Sequence, residues 1–343
     1  MTRMITIDGS QGEGGGQILR TALTLSLLTG KPFRVTRIRA NRANPGLRAQ
    51  HLKAVEAAMR LGGDAVGATI GSQELTFRPA PYEPRDLTIS IGTAGSTGLV
   101  LHTLHLPIAM RAQGPIRLTL EGGTFNTKAP SFPFLRETWR RYMARLGLTV
   151  HLAMPAAGHF PRGGGRLDAW IEPGAPRPIT LIERAPLSRL TGEAGVTNLP
   201  FRQIADRMRD RALERLGEHG LDGDLSTTEW PGPGQGAAIA LSVEHGDVSA
   251  TFVGLGERGK PAERVADEAV AELLAYEDSE GVVDPHSADQ LLVPLALAEG
   301  RSVFSVAEVT DHLRTNAETI RAFLDTPIRV DEPDEGPARV IVG

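Results

Sequence analysis

Cysteine is absent from the 343 residues of this chain. That excludes disulfides, cysteine-ligated zinc, iron–sulfur clusters and thiol nucleophiles. No apolar run approaches the roughly 20 residues that a membrane-spanning helix needs. The longest, at 99–110, is interrupted by His102 and His105. The first residues lack the apolar segment and small-residue cleavage site of a secretory signal. The expectation is a cytoplasmic protein with no membrane contact. Net charge is also small: 37 Lys and Arg against 41 Asp and Glu, or −4. On its face that disfavours a nucleic-acid partner, because such proteins are usually basic. The average hides an asymmetry. Residues 1–60 hold 10 Lys and Arg against 3 Asp and Glu, whereas residues 183–280 hold 10 against 19.

What is present points to an enzyme-sized α/β protein. Hydrophobic residues make up 41% of the chain, enough to bury a core without a covalent or metal staple. Length suggests roughly two domains of about 150 residues. The 39 glycines and 24 prolines are spread out and read as punctuation between elements. Apolar spacing predicts strand, helix, strand, helix, strand, strand at 4–7, 17–28, 33–38, 46–61, 65–70 and 74–77. The order recurs at 87–91, 97–111, 116–120, 134–145, 148–152 and 166–171. A third pass starts at 179–182 and resumes with 288–298, 303–306, 316–324, 328–330 and 339–342.

The reading is therefore an α/β (α+β) protein of three repeated βαβαββ-type units, with a period of about 80 residues. Residues 1–183 and 283–343 form a large domain. Residues 184–282 form a smaller inserted α/β domain, with helices at 201–216 and 262–276 and strands at 238–243 and 249–253.

Four segments could carry chemistry. The first is the glycine-rich turn from Gly9 to Gly16, between a strand and a helix. Backbone amides at a helix start can cradle phosphate. It is not a dinucleotide fingerprint, since Gln17 stands where a third glycine is required. Glu13, a carboxylate among glycines, suits a divalent metal. The second is a basic run, Arg34, Arg37, Arg39, Arg42 and Arg48, with Gln50, His51 and Lys53. Alternation along a strand would put Arg37 and Arg39 on one face, and guanidinium forks suit phosphate; a solvated basic surface is the other reading. The third, ending Gly259-Lys260-Pro261, imitates a P-loop but lacks its hydroxyl residue and reads as a loop before a helix. The fourth is a pair of helix starts, 284–290 and 310–316, with Ser287 or Asp284 as a cap of the first. His312 is a candidate nucleophile or acid–base group there, or a structural histidine.

The segment Asp8-Gly9-Ser10-Gln11-Gly12-Glu13-Gly14-Gly15-Gly16-Gln17-Ile18-Leu19-Arg20 resembles the N-terminal signature of the RNA 3′-terminal phosphate cyclase family. So do the segments 38–47, 71–73, 160–165 and 288–291, and His312-Leu313 with Thr315-Asn316 matches the family's catalytic histidine segment. The resemblance runs through essentially the whole chain, in order. It implies three repeated α/β units with a small insert, and an ATP-dependent conversion of an RNA 3′-phosphate to a 2′,3′-cyclic phosphodiester, with AMP and diphosphate released. By resemblance, His312 would be the adenylylated nucleophile and Glu13 would bind the metal, Mg2+ or Mn2+. Arg20, Arg39, Arg42 and Gln50 would contact phosphates. Ser287, Ala288, Asp289 and Gln290 match part of the adenylate pocket, and Pro130 and Phe134 the apolar groups around the adenine.

Two positions depart from the pattern. His286 stands where bacterial members have a stacking Tyr, and His102 where they have Gln in the nucleotide site. Both bear on the choice between ATP and GTP. The expected partners are ATP and an RNA with a 3′-phosphate end; a homodimer is left open. The alternatives are a non-catalytic, cyclase-like RNA or ribosome-assembly binding protein, whose relatives lack the histidine, and an enolpyruvyl transferase, which would not need it.

Overall fold

A computed structural model describes residues 3–12 and 16–343. The first unit comprises β1 (Ile5–Asp8), α1 (Gly16–Thr29), β2 (Phe33–Thr36), α2 (Ala49–Gly62), β3 (Gly63–Val66) and β4 (Leu75–Pro79). The second begins with β5 (Leu87–Ser90), α3 (Thr97–Ala109) and β6 (Ile116–Gly122). Its next helix starts as α4 (Phe132–Phe134), passes through a π-helical stretch (Leu135–Trp139) and continues as α5 (Arg140–Arg145), before β7 (Val150–Ala156) and β8 (Gly165–Ile171). The third unit opens on the short β9 (Thr180–Leu181).

The chain then builds β10 (Arg189–Thr197), α6 (Arg207–Gly217), β11 (Asp224–Glu229), β12 (Gly236–His245), β13 (Val248–Leu255) and α7 (Ala262–Glu277). It returns to complete the third unit with α8 (Pro285–Leu297), β14 (Ser302–Val306), α9 (Asp311–Phe323), β15 (Ile328–Asp331) and β16 (Ala338–Val342).

The three units share one topology. Their sheets run β1-β2-β4-β3, β5-β6-β8-β7 and β9-β14-β16-β15. In each, the first pair is parallel and joined across a helix, and the other two pairs are antiparallel. The parallel pairing requires a crossover connection, which α1 and α3 supply within the first two units. The fourth sheet, β11-β10-β12-β13, follows a different order. Its strands and α6 and α7 enclose their own apolar cluster, including Met208, Leu241, Phe252 and Leu273. It docks on the second unit through polar contacts: Arg136 donates to Glu193, Arg141 to Glu244, and Thr138 bonds Thr251 within the buried interface.

Helix α1 is central. It packs against α2, α3 and α9, so it is apolar around most of its girth. Leu19, Leu23, Leu25 and Leu27 are fully buried, each contributing roughly 2 kcal/mol. That burial matters to the site because the N-terminal end of α1 and the start of α9 meet there.

Three expectations need correction. The strand expected at 33–38 stops at Thr36. Arg37 and Arg39 both adopt left-handed backbone, φ 53° and 54°, so they do not alternate on a strand face. The cause is the turn itself. Arg37 is captured by the Asp8 carboxylate, and Arg39 donates to the carbonyl oxygens of Asn44 and Gly46. Second, α9 starts at Asp311, ahead of the expected 316, because Thr310 Oγ1 caps it by accepting from Leu313 N at 3.1 Å. Likewise α8 starts at Pro285, with Asp284, rather than Ser287, accepting from the His286 and Ser287 amides. Third, β10 and β11 were not expected. The first carries Gly192 and Gly195, whose missing side chains leave room for Leu241 and Trp230. The second reads Asp-Leu-Ser-Thr-Thr-Glu, too polar to signal a strand.

Candidate active site

Glycine spacing between β1 and α1 brings the loop against two other parts of the first and third units. Gly12 has φ +56°, and a side chain there would run into Thr315 on α9. A Cβ on Gly16 would fall 2.6 Å from His51 Nε2 and 2.8 Å from an Arg20 nitrogen. Glu13, the expected metal ligand, lies with Gly14 and Gly15 outside the described residues.

Beside this loop four arginines converge. Arg39 is held below its ordinary pKa by burial first, then by the charges of Arg48 and Arg42. His51 is driven down to about 3 by burial, then by Arg20, Arg39 and Arg48. Its Nδ1 accepts from the Arg48 amide at 3.1 Å, so the ring also holds the start of α2. Converging cations that depress one another's pKa make a site that favours an anion. Arg37 and Arg34 stand apart from it, paired with Asp8 and Glu74.

The second feature is a relay that spans α1, α8 and α9. Gln17 Nε2 donates to Asp289 Oδ2 at 2.5 Å, and Gln17 Oε1 lies 2.8 Å from His312 Nδ1. The carboxylate accepts the amide N–H, which turns the amide oxygen toward the imidazole. An amide oxygen only accepts, so Nδ1 carries the proton and the in-plane lone pair of the neutral ring resides on Nε2. Asn316 braces the relay by donating to the Asp289 carbonyl at 2.6 Å and accepting from Thr21 Oγ1 at 2.7 Å. Burial raises the Asp289 carboxyl to about 7, with Arg20 opposing that rise. Arg20 is itself lowered to about 10 by burial, with Asp289 supporting its charge.

Behind the relay lies a cavity of about 80 Å³, lined by residues that include Gln17, Arg20, His102, His105, Trp139 and Asp289. His102 stacks on Trp139 at 5.0 Å between ring centroids, and His105 meets the same ring edge-on at 4.9 Å. Nε2 of each histidine, and Oε1 of Gln290, are buried without a hydrogen-bond partner. Unpartnered buried polar atoms around a cavity are costly unless a ligand meets them.

These histidines set a pH dependence. Burial holds His102 and His105 at about 3, with Arg20 also acting on His102, and His51 sits at about 3 as above. The folded state refuses protons that the unfolded chain takes up near the ordinary value of about 6.5. Stability is therefore intact above about 6.5 and declines as pH falls toward 3. The melting temperature should fall by roughly 5–10 °C between pH 7 and pH 5.5. Calorimetry of the native protein against a His102→Gln, His105→Gln variant checks this; equal slopes would contradict it.

His286 is exposed at the start of α8, its Nε2 3.5 Å from Glu272 Oε2 on α7, and that carboxylate raises its pKa. Ser287 and Ala288 are buried in the first turn of α8. Gln290 donates to the His286 carbonyl at 2.5 Å. Pro130 is half-buried, its carbonyl oxygen against Gly98, and Phe134 is buried. Gln50 and Arg42 are exposed, Gln50 beside Gly95 and Arg42 near Arg39. Gln17, His51, His105 and Asn316 were not among the expected site residues. For Gln17 and Asn316 a signal existed, since both lie inside the segments that carry the resemblance. His51 was legible only as a member of the basic run, and His105 had no signal beyond its residue type.

The family profile described as RNA 3′-terminal phosphate cyclase matches residues 11–330. The chain is 44% identical to the RNA 3′-terminal phosphate cyclase of Ralstonia nicotianae, over 98% of this chain and 97% of that protein. It is 43% identical to that of Koribacter versatilis, over 98% and 94%. With that of Caldivirga maquilingensis the identity is 42%, over 95% and 94%. A solved EPSP synthase from Acinetobacter baumannii aligns over 98% of this chain and 64% of its own length, at 10% identity and a TM-score of 0.33. That likeness carries no argument.

Proposed function

This chain belongs to the RNA 3′-terminal phosphate cyclase family, and we propose that it uses ATP to close an RNA 3′-phosphate into a 2′,3′-cyclic phosphodiester through a covalent His312–AMP. The observation that carries this reading is the bond from His312 to Gln17, which puts the imidazole lone pair on Nε2.

In the first step Nε2 attacks the α-phosphorus of ATP and diphosphate leaves. An oxygen of the RNA 3′-phosphate then attacks the same phosphorus, breaking the N–P bond and taking up AMP. Finally the neighbouring 2′-hydroxyl attacks the 3′-phosphorus, loses its proton, and AMP departs. Covalent catalysis replaces one difficult displacement with two easier ones. Adenylylation is needed because an unactivated phosphate monoester has no good leaving group. The last step is intramolecular, so the protein mainly fixes geometry. The arginine cluster, Arg20, Arg39, Arg42 and Arg48, is suited to the accumulating phosphate charge. The first turn of α9 adds backbone N–H groups around His312.

We further propose Glu13 as a ligand of Mg2+ or Mn2+, which would neutralise phosphate charge when bound. Among the described residues no group of three His, Asp or Glu could hold a metal ion. Glu13 lies outside them, so no step is assigned to the ion. We read residues 184–282 as a separate inserted domain with its own apolar cluster. No helix among the described residues is long and apolar enough to cross a membrane.

The test is direct. An RNA oligonucleotide with a labelled 3′-phosphate, incubated with the protein, ATP and Mg2+ or Mn2+, should become resistant to phosphatase. Its end should reopen after treatment with a cyclic phosphodiesterase. Chelation of the divalent ion should suppress the conversion by at least tenfold. An end that stays phosphatase-sensitive in the complete mixture would refute the proposed activity.

A further inference from the structure

Phe160 is 80% exposed, more than any other large apolar side chain among the described residues. It projects from the loop between β7 and β8, and that loop is firmly anchored. Gly163 N donates to the His159 carbonyl at 2.7 Å. The His159 ring stacks flat on Phe125 at 4.9 Å, and its Nε2 lies 3.1 Å from Thr197 Oγ1. A fixed loop that holds a phenyl ring in water spends hydrophobic stabilisation that a polar residue would not forgo.

The loop is connected to the phosphate site by direct packing. Gly163, at φ +65°, sits so close to the turn before α3 that a Cβ would fall 2.6 Å from the Thr93 carbonyl oxygen. In the same turn, a Cβ on Gly95 would lie 3.5 Å from Gln50 Cβ. Gln50 precedes His51, whose ring abuts Gly16 and thus the end of α1 that carries Arg20. Phe160 therefore stands on a loop joined by direct packing, through Gly95, Gln50 and His51, to the segment beside the arginine cluster. Two exposed cations belong to the same pair of segments: Arg162 on the loop itself, and Lys128, three residues along the chain from the Phe125 that bridges to His159.

We propose that Phe160 is a stacking platform for a nucleobase of the RNA strand upstream of its 3′ end, with Arg162 and Lys128 against the flanking phosphates. The inference rests on the cyclase reading for the identity of its ligand. An aromatic face accepts any base, which suits an enzyme that acts on ends rather than on a sequence. Cations on the segments that carry the ring suit a polyanionic strand better than an apolar peptide. The acidic fourth sheet, by contrast, offers RNA little.

The experiment uses the full-length protein and a 3′-phosphorylated decanucleotide. Phe160→Ala should raise the KM for RNA about tenfold and leave both the rate of protein–AMP formation and kcat unchanged. Phe160→Trp should remain near native. Equal KM values for the native protein and Phe160→Ala would overturn the proposal and point to a protein partner for this face. Binding of the same oligonucleotide, followed by fluorescence anisotropy, keeps the two readings apart. If the native protein forms no cyclic end, the cyclase reading fails, yet a loss of affinity in Phe160→Ala would still uphold the stacking platform.

Discussion

His312→Ala is expected to abolish labelling of the protein by ATP carrying label at its α-phosphorus, and to lower cyclisation by a factor on the order of a thousand or more. The expectation rests on the covalent route. If the imidazole only polarised a phosphate, its removal would slow the reaction by the smaller factor typical of one lost hydrogen bond. A phosphoramidate has a further signature: it is labile in acid and stable in alkali, the reverse of an acyl phosphate on Asp or Glu. Label that persists in His312→Ala, or that survives acid, would remove His312 from the role of nucleophile. His312 lies exposed in the first turn of α9, and the cap bond is made by Thr310 to Leu313 N. The substitution should therefore leave the fold intact, and an unchanged melting temperature serves as the control.

Gln17→Leu should reduce the rate of protein–AMP formation about a hundredfold without removing the nucleophile. Leucine matches the glutamine in size but cannot accept from His312 Nδ1 or donate to Asp289. The imidazole then loses the partner that selects its tautomer and its orientation, and a misplacement on the order of 1 Å is enough for such a loss. The Asp289 carboxylate also loses its amide donor, so some stability should go with it, about 1–3 kcal/mol. The readout that separates positioning from simple destabilisation is kinetic. The rate at saturating ATP should fall while the KM for ATP changes little. A rise in KM alone would mean that Gln17 binds nucleotide rather than positioning the histidine.

Much of the fold was legible in the chain. The three passes of strand, helix, strand, helix, strand, strand emerge at nearly the observed positions, because apolar periodicity is a local property that each segment carries by itself. The boundaries that shifted did so where a single cap or turn decided them, as Thr310 does for α9 and the Asp8–Arg37 pair does for the end of β2. The strands that went unseen, β10 and β11, owe their state to neighbours. Gly192 and Gly195 are sheet residues because Leu241 and Trp230 cover them.

The site divides in the same way. The chain alone singled out His312, Arg20, Arg39 and Arg42 and the excess of positive charge in residues 1–60, even though the whole protein carries −4. Composition also left no thiol to compete with histidine as the covalent nucleophile. Only tertiary structure could show that Gln17 reaches across 272 residues to Asp289 and 295 to His312, and that Arg37 is withdrawn from the cluster by Asp8. Residue types and periodicity are written along the chain, whereas a tautomer, a shared cavity or a converging set of charges exists only after packing has brought distant segments within hydrogen-bond range.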